Sequence, residues 1–73
     1  MLKIKADKME KLIKMYGFTE NIYPKGYYLL NDFIAIEPDR TIVVLNKQGE
    51  EILKYIELMN MVEKVVEDDT NKQ

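Results

Sequence analysis

Asp32, Glu37 and Asp39 are the only carboxylates in this chain grouped closely with a guanidinium, that of Arg40. Paired carboxylates can divide acid and base roles in hydrolysis, or hold a hard cation such as Mg or Ca. Either use needs a concave pocket, and these four residues fall at the ends of an expected hairpin, where acids commonly serve the turns themselves. The structural reading is that Pro38 and Asp39 make a turn and Arg40 is a solvated edge charge. Other chemistry is removed by composition, because the chain contains no His, Cys, Ser or Trp. Ser-His-Asp and Cys-His nucleophiles are therefore excluded, and zinc lacks its preferred thiolate and imidazole ligands. Gly17, Gly26 and Gly49 are isolated from one another, so no phosphate-cradling loop can be assembled. The expectation is a protein that is not an enzyme, with no catalytic, cofactor-binding or metal-binding residues.

Charge offers a second kind of site. The net charge is -2, yet residues 1–16 stand at +3, residues 17–48 at -1 and residues 49–73 at -4. The two ends should attract each other, as solvated helix faces of opposite sign. Lys8, Lys11 and Lys14 form a candidate basic face, and Tyr23, Tyr27 and Tyr28 are aromatic rings of the kind on which bases stack. A single Arg and a pI near 5.1 weigh against nucleic acid, which stands as the alternative function.

The elements that position these residues follow from spacing. Leu2-Lys3-Ile4-Lys5-Ala6 alternates with period two, which favours a short strand, while a helix starting near residue 3 would also place Leu2, Ala6 and Met9 on one face. Asp7 and Glu10 make a capping box for a helix over 8–16, with Met9, Leu12, Ile13 and Tyr16 inward and Gly17 as its left-handed stop. From Phe18 onward aromatic and β-branched residues predict strands over 27–30, 33–37 and 41–46, joined by a two-residue Asn31-Asp32 hairpin and a Pro38-Asp39 turn. Ile42-Val43-Val44-Leu45 is apolar without alternation, so this strand is expected to be central, covered on both faces or at an interface.

A second helix opens near Lys47 with Glu50 and Glu51 in its first turn and Ile52, Tyr55, Ile56 and Met59 inward. It is expected to end near Asn60, with a last strand from 61 to 66; one helix from 50 to 67 is the alternative. The fold class is α+β, a three-stranded antiparallel meander packed by two helices, with short terminal strands extending the sheet.

Seventy-three residues make one small domain, read as 1–67 followed by a disordered polar tail over 68–73. Twenty residues are Ile, Leu or Val, enough for a compact core, although a domain of this size buries only about 60% of its unfolded surface. Apolar residues beyond the capacity of that core imply association with an unknown protein partner or a second copy, through the strand over 41–46 or the second helix. Tyr27, Tyr28, Val43, Leu53 and Met61 are the candidate interaction surface. With no apolar run long enough to span a bilayer and no secretory leader, no membrane is implied and a cytoplasmic location is expected.

Met9-x-x-Leu12-x-x-x-Tyr16-Gly17-Phe18 at the front and Met61-Val62-Glu63-Lys64-Val65 at the back, with a Tyr-rich meander between, carry a resemblance to a known group. The chain resembles small uncharacterised proteins of phages and prophages of Gram-positive bacteria, in which Leu-x-x-Leu-x-x-Tyr-Gly-Phe and Leu-Val-Glu-Lys-Val elements recur. The front element departs from that pattern by one extra residue before Tyr16. The resemblance implies an accessory protein that binds something of the host or phage, and a closing segment that is extended after a helix. It implies no activity and no functional residues.

Overall fold

The computed structural model describes residues 2–66. Along the chain these form β1 (Leu2–Ala6), α1 (Met9–Tyr16), β2 (Thr19–Glu20), β3 (Tyr28–Leu30), β4 (Ile34–Ile36), β5 (Ile42–Val44), α2 (Lys47–Leu58) and β6 (Val62–Val66). The fold is α+β. The expected tail over 68–73 lies outside the described residues.

The meander β3-β4-β5 is present, but β2 adds a fourth strand, so the antiparallel sheet runs β2-β3-β4-β5. Two residues are too few to show alternation, which is why Thr19–Glu20 leaves no pattern in the sequence. The terminal strands do not simply extend this sheet. β1 and β6 pair with each other in a second antiparallel sheet, from Leu2↔Val66 to Ala6↔Val62, with the isolated bridge Lys5↔Thr41 linking β1 to the first. What meets are the strands β1 and β6, with Lys5 directly opposite Glu63, in place of the helix faces expected.

The central position expected for the third strand belongs to β4, whose Ile34, Ala35 and Ile36 are all buried; β5 is the last strand of its sheet. An unbroken apolar run does not distinguish a central strand from an edge strand that has apolar residues on both faces. The Asn31-Asp32 hairpin is also longer than expected. Leu30 and Ile34 pair across three residues, with the Phe33 N–H donating to the Leu30 carbonyl and Asn31 at φ 50°.

Helix termini show where local chemistry decides. α1 has no capping box: Lys8 stands at its N-cap without a side-chain hydrogen bond, whereas Gly17 at φ 81° closes the far end as expected. α2 is capped by Asn46, whose side chain accepts the Gly49 N–H at 3.0 Å. It ends as the Asn60 reading requires. Asn60 is left-handed at φ 60°, its N–H donates to Glu57, and the Met61 N–H donates to Ile56. That pairing is a Schellman stop, and it turns Met61 onto Ile56 in the core.

The core is one cluster: Ala6, Leu12, Phe18, Ile34, Ile36, Ile42, Ile56 and Met61. Leu12 of α1 and Ile56 of α2 meet Ile34, Ile36 and Ile42 there, so both helices cover the same face of the four-stranded sheet.

Candidate functional site

The pairing register determines what lies on the other face. Residues directly opposite one another in antiparallel strands project to the same side, and neighbours along a strand project to opposite sides. Glu20, Tyr28, Ile36 and Ile42 form one row on the core side. Thr19, Leu29, Ala35 and Val43 form the adjacent row on the outer side. Leu29, Ala35 and Val43 are absent from the core cluster and from the side chains packed against it. Ala35 is buried, while Leu29 and Val43 are half-buried. Tyr27, next to Tyr28 in an extended segment, borders the row on one side, and Leu45, 48% exposed, borders it beyond Val43. Among the described residues, an apolar strip therefore crosses three strands with no helix over it.

The predicted interaction residues separate into three groups. Tyr27 and Val43 belong to the outer face. Tyr28 and Leu53 pack partly against the core. Met61 is only 2% exposed and belongs to the core itself, a correction that follows from the Asn60 stop. Leu45 belongs to the strand over 41–46 already expected at an interface, whereas Leu29 and Ala35 were not legible as members of a surface, because Tyr27-Tyr28-Leu29-Leu30 and Ile34-Ala35-Ile36 carry no polar alternation. Only the cross-strand register separates their two faces.

Lys8, Lys11 and Lys14 are exposed, and among the described residues none of them enters an ion pair. They sit on the helix that covers the core side of the sheet, while Tyr27 stands on the outer side. A strand of nucleic acid lying along the lysines would not meet that ring, and Tyr28 is occupied by the core.

The carboxylates do not converge. Asp32 lies beyond one end of β4 and Glu37 and Asp39 beyond the other, separated by the three residues of that strand, roughly 10 Å. Among the described residues no group of three acids could hold a metal ion. Two shallow hollows exist, one of about 220 Å³ beside Glu20, Asn21, Ile22 and Lys25 and one of about 310 Å³ beside Lys47, Gln48 and Glu51. Neither includes Asp32, Glu37 or Asp39.

The Pro38-Asp39-Arg40 loop has a structural task instead, and Arg40 is not the solvated edge charge expected. The Arg40 N–H donates to Glu37 around the turn, and Arg40 then takes φ 74°, the left-handed position that follows a turn in three-residue hairpins. Its carbonyl accepts the Ala6 N–H at 2.8 Å, and its Nη1 donates to the Ala6 carbonyl at 2.6 Å. Asp39 accepts the Thr41 N–H at 3.0 Å and lies 3.8 Å from the Lys5 ammonium. The nearby Thr41 hydroxyl, which makes no hydrogen bond of ordinary length among the described residues, then the Thr41 N–H, then the Lys5 and Lys3 charges hold the Asp39 carboxyl below its ordinary value. This turn fastens β1 to the end of the four-stranded sheet.

Among the described residues no helix is long and apolar enough to cross a membrane. No family model, curated protein or solved structure matches the chain.

Proposed function

We propose that this chain is a small non-enzymatic protein-interaction module, of the phage or prophage accessory type, that docks through the outer face of the β2-β3-β4-β5 sheet. The observation that carries the reading is the apolar row Leu29, Ala35 and Val43 on the side opposite the core cluster. An antiparallel sheet with one face in water ordinarily alternates apolar with polar residues. Here both faces are apolar, which adds nothing to the packed interior and suits contact with another apolar surface. The order of the Tyr16-Gly17-Phe18 and Val62-Glu63-Lys64-Val65 elements supports the accessory type, and the scattered acids and missing nucleophiles support a role other than catalysis.

Dimensions limit how this face binds. Four strands about 4.8 Å apart and at most three residues long present on the order of 200 Å². A stacked pair of such faces would bury on the order of 400 Å², about a third of the lower bound for a stable complex. Self-association through this face alone is therefore weak, and a tighter partner must also grip the rim at Tyr27 and Leu45.

The test is site-specific photocrosslinking in cells that naturally contain the protein, with a benzophenone side chain placed at Val43 or at Glu50, an exposed control on α2. Discrete adducts from Val43 and none from Glu50 are expected. Adducts from Glu50 with none from Val43 would reject the sheet face.

A further inference from the structure

The free edge of β6 raises a question separate from the sheet face. The Asp7 N–H donates to the Met61 carbonyl at 3.0 Å, in register with Lys5↔Glu63 and Lys3↔Val65. Hydrogen-bonding direction alternates along an antiparallel strand, so the backbone groups of residues 61, 63 and 65 point at β1. Those of Val62, Lys64 and Val66 point away from it, and among the described residues no strand pairs with them. Three N–H groups and three carbonyls are presented over five residues. The opposite edge of the molecule, β2, offers only two residues. We propose that the outer edge of β6 is a strand-addition site for an extended segment of another protein, one with a carboxylate flanked two residues away on each side by apolar side chains.

The side chains specify that occupant. Val62, Lys64 and Val66 share one face of β6, and Glu63 and Val65 share the other. Val66 is 74% exposed and stands opposite Leu2, itself 58% exposed. An added apolar residue beside Val66 extends that pair into a row across three strands, and another beside Val62 extends the row that begins at Ala6. Between them a carboxylate meets the exposed Lys64, and on the reverse face a cation meets Glu63.

A second copy is the wrong occupant. Two antiparallel edges related by a twofold axis place one residue opposite itself. The register that pairs all five residues of β6 sets Lys64 against Lys64, and a shift by one residue keeps only three paired, with Glu63 against Glu63 or Val65 against Val65; like charges directly opposite are destabilising, so the fullest self-pairing is the one penalised. This pattern blunts edge-to-edge self-pairing while leaving the edge open to a complementary strand.

The probe is a seven-residue synthetic peptide reading threonine, valine, threonine, glutamate, lysine, valine, threonine, which in antiparallel register sets its glutamate against Lys64. Its control has lysine in place of the glutamate. Amide exchange is followed by NMR on the full chain at millimolar peptide. The Val62, Lys64 and Val66 amides are expected to slow by roughly fivefold or more near saturation, with Glu63 and Val65 little changed. The control peptide should bind roughly three- to tenfold more weakly, and Lys64→Glu should invert that preference. Lys64→Pro removes an outward N–H without touching the β1 ladder, so it should fold and lose binding. Unchanged outward amides, equal affinity for the two peptides, or full binding by a folded Lys64→Pro would each overturn the proposal. Concentration-dependent protection of the same three amides without peptide would overturn it in favour of a second copy.

Discussion

The guanidinium and the carbonyl of Arg40 take both backbone groups of Ala6, and Asp39 beside it binds the Thr41 N–H, so two adjacent residues join the sheets. Asp39 makes that junction sensitive to acid. Its carboxyl is held below its ordinary value in the folded chain, so its contribution is complete above the unfolded pKa of about 3.9 and is lost as pH falls through the lower folded value. Asp39→Asn should flatten the stability profile below about pH 4 while matching the acid-unfolded limit of the native chain; urea titrations across pH check this, and an unchanged acid slope would contradict it. Gly49 poses a different constraint. Alanine there would gain about 1 kcal/mol in helix propensity. However, its Cβ would land on the Phe33 carbonyl, backbone that cannot step aside cheaply. The clash outweighs the propensity, and Gly49→Ala is expected to destabilise by about 2 kcal/mol or more in chemical denaturation. A stabilised variant would show that α2 sits farther from the β4 turn than described.

Elements were legible where a local signal and the tertiary structure agree. α1 stops at Gly17 and α2 stops at Asn60 because each position needs a left-handed residue that glycine and asparagine supply at low cost. β1 and β6 follow their alternation and their valine-rich run. The start of α1 was misread, since Asp7 and Glu10 have the spacing of a capping box but Lys8 occupies the N-cap. A cation at that end opposes the helix dipole and leaves the first N–H groups without a side-chain acceptor. Lys8→Asp should therefore raise stability by about 0.5–1 kcal/mol, read from the denaturation midpoint; a loss would mean that Lys8 makes a contact outside the helix. The four-stranded sheet was only partly legible. A two-residue strand has no period, and the position of β5 at the end of its sheet depends on which strands pair, a non-local choice. The candidate site shared that limit: Val43 and Tyr27 were read as surface from their own segments, but Leu29 and Ala35 join them only through the register.

At the scale of the whole molecule, two helices and the core side of the sheet use the apolar residues that stabilise the fold, and the outer side holds a second apolar set outside that cluster. Interior truncations in such a core, Ile36→Ala among them, cost about 2–5 kcal/mol. The outer face should behave otherwise, because exchanging its side chains for others that favour strands leaves the interior intact. The deciding measurement is the urea unfolding free energy of the Leu29→Thr, Val43→Thr double variant beside Ile36→Ala. A loss for the double variant of no more than about 1.5 kcal/mol, well short of Ile36→Ala, is the predicted result. A loss equal to that of Ile36→Ala would place Leu29 and Val43 in the packed interior and leave no open face for a partner to dock on.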